Sequence, residues 1–318
     1  MAEAIGEFQN EKRRLISSLH AETRLLCWIM NEAKAIEKRD AIMETWGKRC
    51  HLILFMVGAK EMLAIDRQQS TEDPASAPTR PPKSRRRIGP HAFVVYLDMI
   101  PDTYNNLWSK TRHAFVYIYE HFRDSYDWVL KVDDDSYVIV ENLLLFLRDK
   151  KPSDPFYYGC HYATSAPRGY ASGGPGYIMS RINADKFANQ LLRKNVSGDC
   201  LVKNGDEGPE DIRVGQCLDK LGIGPGDTRD DHGRFRFSPF TPEHVLNHNT
   251  FPKKYAWFWG FSAHKLADGF ECCSDTAISF HYITPSMIRV MEYLVYFVHP
   301  FSSREMWNQS VDNATYDA

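Results

Sequence analysis

The sequence predicts an α/β fold, and three observations carry that reading. Short apolar runs of strand length alternate with segments of helical composition, beginning with a β-α-β unit. Of the 318 residues, 43% are hydrophobic and 25% charged, the balance of a soluble globular chain with ample core for one large domain or two modest ones. Three consecutive carboxylates, Asp133, Asp134 and Asp135, directly follow one apolar run and precede a helix. That places them at the carboxyl end of a strand, the edge where α/β sheets bind ligands.

Residues 1–22 are polar and read as a stem, mobile or helical. "RLLCWIM" then reads as a buried strand, "EAKAIEKRDAIMETW" as a helix and "HLILFMV" as a second buried strand. The stretch 64–90 is rich in proline, serine and charge and almost without large apolar residues. It reads as an extended, disordered loop inserted in the domain, with Arg85, Arg86 and Arg87 as a solvated charge run. "FVVYL" resumes strand character, and "YNNLWSKTRHAFVYIYEHF" sets Leu107, Ala114, Phe115, Ile118 and Phe122 on one helical face. "DWVLKV" is a central strand ending at the aspartates, and "ENLLLFLRDK" is the helix after it. Further on, "FYYGC" is a strand, "YASGGPGYIMS" is a glycine-rich loop running into another, and "PEDIRVGQCLDKLGI" opens with the proline and acids of a helix start.

A net charge of −2 gives no sign of a nucleic-acid partner. No apolar run approaches the ~20 residues of a membrane span, and the amino terminus lacks the apolar segment of a secretory signal. Taken alone, these features describe a soluble cytosolic chain. Seven cysteines and the sequons at Asn195, Asn308 and Asn313 point instead, the sequons weakly, to an oxidising lumen. The cysteines contain no C-x-x-C pair, which argues against a zinc ribbon. Cys27 and Cys50 flank the first β-α-β unit at a separation that a disulfide can close, and Cys200 and Cys217 bracket a loop and helix start. Scattered reduced cysteines are the alternative.

Three adjacent carboxylates repel one another, and a bound cation is the simplest compensation. Asp133 and Asp135, one residue apart, can direct two carboxylates at one Mn²⁺ or Mg²⁺, which in turn bridges nucleotide phosphates. A solvated acidic turn is the bland alternative. His281, closing the apolar run in "DTAISFHYITP", is a candidate third ligand, although a histidine so placed is more often structural. "SGGPGYIMS" allows close backbone approach to a ligand, but it is neither a P-loop nor a dinucleotide fingerprint. Glu210 and Asp211 lie near a helix amino terminus, which favours the ionised carboxylate that a general base requires; a plain capping pair is the competing reading. The aromatic content of 13%, much of it in loops, suits stacking on a flat ligand or ordinary packing.

In order along the chain, "LCWIM", "TWGKRC", "LWSKTRHAF", "DWVLKVDDDSYVIVENL", "SGGPGYIMS", "EDIRVGQCL", "CCSDTAISFHY" and "EYLVY" resemble the family 31 glycosyltransferases, most of all the core 1 β1,3-galactosyltransferases. The resemblance runs from about Arg24 to Phe301. It implies a GT-A fold, a Rossmann-like twisted sheet with helices on both faces, forming one catalytic domain over 23–301 with a flexible tail over 302–318. The implied reaction is Mn²⁺-dependent, inverting transfer of galactose from UDP-galactose to the 3-hydroxyl of N-acetylgalactosamine on Ser or Thr of a glycoprotein.

By that resemblance Asp133, Asp135 and His281 hold the metal, and Asp134 meets the ribose or the metal's hydration shell. Asp211 is the general base, while Met30, Lys110 and Tyr282 contact UDP, Lys110 at the diphosphate. Tyr170 and the "WFW" cluster, chiefly Trp257, receive the acceptor sugar. The resemblance further implies a Golgi lumenal location, disulfides Cys27–Cys50, Cys200–Cys217 and Cys272–Cys273, and a free Cys160. It admits a homodimer and a folding chaperone as partners. Family members are anchored by an amino-terminal membrane helix; this sequence lacks one, as a trimmed chain or a divergent product would, so the membrane enters only through that anchor. The 64–90 insert is longer than the resemblance leads one to expect. A fringe-like sibling using UDP-N-acetylglucosamine shares the same metal site, whereas a non-catalytic chaperone relative lacks the aspartates that this chain retains.

Overall fold

The computed structural model describes residues 11, 14–59, 85–97, 100–192, 200 and 208–298. The first two apolar runs become β1 (Leu25–Met30) and β2 (Leu52–Gly58), parallel neighbours buried along their whole length. Burial on both faces explains why each reads as an unbroken apolar run. α1 (Ile36–Glu44) connects them, and the Cys27–Cys50 disulfide ties β1 to the chain just before β2.

β3 (Arg85–Gly89) pairs antiparallel with β4 (Ala92–Leu97), which lies parallel to β2. The expected loop over 64–90 is thereby corrected at its end: Arg85, Arg86 and Arg87 are an edge strand, not a solvated coil. Their charge hid the strand, yet charge is what an exposed edge requires to refuse further pairing. Residues 64–84 of that stretch lie outside the described residues, as do the three sequons and the tail over 302–318; of the stem, 14–22 are helical.

α2 (Leu107–Phe122) leads to β5 (Trp128–Asp133), which pairs parallel with the other side of β1 and sets Met30 opposite Asp133. The chain thus leaves β1 towards β2 and returns on its far side, so a topological switch point opens between the carboxyl ends of β1 and β5. There follow β6 (Tyr137–Val138), α3 (Val140–Leu147), β7 (Tyr157–Gly159), β8 (His161–Tyr162), β9 (Tyr170–Ala171), β10 (Tyr177–Ser180), α4 (Arg181–Leu192) and α5 (Glu210–Lys220). The last elements are β11 (Phe237–Ser238), α6 (Pro242–Leu246), α7 (Phe258–Phe261), β12 (Ser279–Phe280) and α8 (Pro285–Tyr296). The main sheet has the order β3-β4-β2-β1-β5-β10-β7, with β10 antiparallel to both of its neighbours.

Alternation along β1 divides the core. Leu25, Cys27 and Ile29 pack with residues of α1, α3 and α8 on one face, and Leu26, Trp28 and Met30 pack with α2, α4 and α5 on the other. A mixed seven-stranded sheet with helices on both faces is the GT-A type of α/β architecture that the sequence implied. Cys27–Cys50, Cys200–Cys217 and Cys272–Cys273 are disulfides, and Cys160 is free and buried. Among the described residues no helix is long and apolar enough to cross a membrane.

Candidate active site

Asp133 is the last residue of β5, and Asp135 lies just before β6. β6 pairs antiparallel with β12, Tyr137 opposite Phe280, and the Ile283 N–H donates to the Asp135 carbonyl at 2.7 Å. This small ladder brings His281, immediately after β12, onto the aspartates. Donor atoms of Asp133, Asp135 and His281 all lie within 4.8 Å of one another. His281 Nε2 is 3.1 Å from Asp135 Oδ1 and 3.9 Å from Asp133 Oδ2. The set fits a divalent cation such as Mn²⁺: hard carboxylate oxygens with one imidazole, and both carboxylate side chains about a third exposed, at 33% and 29%.

Asp134 departs from expectation. It is buried, accepts from Lys38 Nζ at 2.6 Å and from Asn31 Nδ2 at 2.9 Å, and points away from the other two. Asp134 lies in the turn after β5, where Lys38 and Asn31 hold its carboxylate, while Asp133 and Asp135 meet His281.

The glycine-rich loop closes the site from the other side. A Cβ on Gly173 would lie 2.2 Å from Glu210 Oε1, and one on Gly174 would lie 2.1 Å from His281 Cε1. The loop therefore approaches the site's own side chains, where the sequence suggested a ligand. The Gly173 N–H donates to Asp211 Oδ2 at 3.0 Å, and the Ile212 N–H donates to Asp211 Oδ1 at 2.8 Å. Sequence reasoning took the start of α5 to keep Asp211 readily ionised. Burial outweighs that, raising its carboxyl above the usual aspartate range, with the Gly173 N–H and Lys131 pulling the other way. Burial likewise pushes Glu210 up to about 7, opposed mainly by Lys131.

Lys131 was not among the expected site residues. Its ammonium is buried between Asp133 Oδ1 at 2.7 Å and Glu210 Oε1 at 2.5 Å. The available signal was a lone cation inside the apolar run "WVLKV", since a buried lysine demands partners.

A pocket of about 300 Å³ joins these groups. Asp133, Gly173, Gly174, Asp211 and His281 line it, with Tyr104, Tyr162, Tyr170, Phe240, Trp257 and Tyr282 as aromatic walls. Tyr170 is buried and Trp257 is 41% exposed. Gly215 of α5 lets that helix press on Tyr170, whose Cβ would be 2.3 Å from an added Cβ. Tyr282 has a left-handed φ of 61° and stacks on His281 at 3.9 Å and on Tyr255 at 5.1 Å. Met30 stands beside Asp133 in register but is buried and does not line this pocket.

Lys110 also departs from expectation. Its buried ammonium donates to Asp102 Oδ1 at 2.7 Å and to the Asn31 carbonyl at 2.8 Å, and Asp102 in turn accepts from the Gly58 and Ala33 N–H groups. It clamps the carboxyl ends of β1 and β2 and is not among the residues that line the pocket.

The sequence profile of the Fringe-like family matches residues 103–276. Glycoprotein-N-acetylgalactosamine 3-beta-galactosyltransferase 1 of Xenopus laevis is 30% identical over 287 residues, which are 90% of this chain and 70% of that protein. Chondroitin sulfate synthase 3 of Mus musculus is 27% identical over 207 residues, 61% of this chain but only 20% of the synthase. Beta-1,3-glucosyltransferase of Mus musculus is 27% identical over 127 residues, 39% of this chain and 24% of that enzyme.

Proposed function

The chain belongs to the Fringe-like family of glycosyltransferases, and from that premise we propose that it transfers galactose from UDP-galactose to the 3-hydroxyl of N-acetylgalactosamine on Ser or Thr of glycoproteins, with inversion. One observation carries the reading: Asp133, Asp135 and His281 cluster within 4.8 Å at the switch point, and Asp211 lines the same pocket across the glycine loop. Asp133, Asp135 and His281 would hold Mn²⁺, which when bound takes up charge on the departing diphosphate. Inversion requires one base. Asp211, oriented by two N–H donors and made more basic by burial, accepts the proton of the acceptor hydroxyl as that oxygen bonds to the anomeric carbon and UDP departs. Trp257 offers aromatic surface to the acceptor sugar, the buried Tyr170 lines the same pocket, and Tyr282 packs beside the metal side of it, towards UDP. The three disulfides support a lumenal, Golgi location.

The match to the Fringe-like profile keeps a second donor, UDP-N-acetylglucosamine, as the competing assignment for the same site. Transfer from a panel of UDP-sugars to a GalNAc-Ser/Thr glycopeptide, with Mn²⁺ and then with EDTA, decides between them. Galactose transfer lost on chelation is expected. Transfer of another sugar moves the donor assignment, and full activity in EDTA removes the metal.

A further inference from the structure

We infer that Lys131 is a positioning residue that couples the metal carboxylate to the base, an inference that rests on the transfer reading above. An ammonium has three donors. Those of Lys131 meet Asp133 Oδ1 at 2.7 Å, Glu210 Oε1 at 2.5 Å and the Gly173 carbonyl at 3.2 Å. Lys131 is 1% exposed, so no donor is left for substrate and it is not a catalytic group. Gly173 passes the restraint on, because its N–H donates to Asp211 Oδ2 at 3.0 Å.

One cation therefore fixes three parts of the site: the end of β5, the start of α5 and Gly173, the residue whose N–H orients the base. It also decides which oxygen Asp133 presents. With Oδ1 held by Lys131, Oδ2 is the oxygen that faces His281 Nε2, at 3.9 Å. Groups that orient metal ligands in this way typically change metal affinity or activity by about 10–100-fold when lost. The simpler alternative is that Lys131 only neutralises the buried Glu210.

A double variant separates the two. Lys131→Met alone strands a buried carboxylate and threatens folding, whereas Lys131→Met combined with Glu210→Gln removes one charge of each sign and leaves the local net charge unchanged. The comparison uses the full chain, with Glu210→Gln alone as the reference. Melting temperature, Mn²⁺ affinity by calorimetry with and without UDP, and kcat and acceptor KM are measured. The expected result is a double variant that melts close to the reference, binds Mn²⁺ roughly tenfold more weakly and loses roughly 100-fold in kcat at similar KM. Reference-like Mn²⁺ affinity and kcat would overturn the assignment, leaving Lys131 a charge partner of Glu210. An unsubstituted chain that neither binds Mn²⁺ nor moves sugar would defeat the transfer reading, and this inference with it. If the unsubstituted chain binds Mn²⁺ without transfer, Mn²⁺ affinity alone decides.

Discussion

Burial of Asp211 and its neighbour Glu210 has opposite consequences for activity and stability. The Asp211 carboxyl sits above the ordinary aspartate range because burial disfavours the charge, and the proposed role as base needs that charge. The rate should fall with falling pH along a limb that lies above the usual carboxylate range, measured as kcat/KM at saturating metal; a limb at ordinary aspartate pH would refute the assignment. Asp211→Asn should lose ~10²–10⁴-fold in kcat with UDP affinity retained, and collapse of UDP binding instead would make Asp211 structural. Glu210 gives the stability counterpart. Burial raises its folded pKa to about 7, well above the usual glutamate range. Its contribution to stability is therefore complete below the unfolded value and is lost as pH rises through about 7. Denaturant titrations at pH 5 and pH 8 should show a smaller loss of stability on raising pH in Glu210→Gln than in the unsubstituted chain. An identical loss in both would show that another group carries the dependence.

At the scale of elements, the site is assembled by a loop and a two-residue ladder, and not by the strand that announces it. Gly174→Ala tests the loop. The new Cβ would lie 2.1 Å from the His281 ring, which must move. A displacement of about 1 Å is expected to cost ~10²-fold in kcat, with weaker Mn²⁺ binding and little change in the far-UV spectrum. Unchanged Mn²⁺ affinity would show that the ring has room the geometry does not display. The legibility of the elements follows the same division. β1, β2, β5 and α5 were readable because burial on both faces, or an acidic helix start, leaves a mark in the local sequence. β3 was not, because an edge strand of arginines has the composition of a loop. The directions of Asp134, Lys110 and Lys131 were unreadable for another reason: each depends on a partner distant in the chain, Asn31 for Asp134 and Lys110, and Glu210 for Lys131.

For the whole molecule, the question is what joins the first β-α-β unit to the last helix, because the proposed metal ligands come from distant parts of the chain. Arg49, just before β2, donates to both oxygens of Glu292 in α8, at 2.6 and 3.1 Å. Tyr137 of β6 donates to the same carboxylate at 2.9 Å. Glu141 of α3 sits 3.2 Å from Arg49 Nε and accepts from Tyr296, whose ring lies under the guanidinium at 3.8 Å. Segments from the beginning, middle and end of the described chain thus converge on the partly buried Arg49 and on Glu292, whose partner Tyr137 lies two residues from Asp135. Glu292→Ala removes the carboxylate that accepts from both Arg49 and Tyr137 and leaves the partly buried Arg49 only Glu141. Glu292→Ala should therefore destabilise by about 1.5–3 kcal/mol, whereas Tyr296→Phe, which spares Arg49 both of its carboxylates, should cost only about 1 kcal/mol. Chemical denaturation reads both directly, and equal small losses would mean that α8 is held by its apolar face alone. Because Tyr137 follows the metal-site turn, the same Glu292→Ala protein should also lose Mn²⁺ affinity well below its melting temperature. Retained affinity in a destabilised protein would separate the closure of the fold from the geometry of the site.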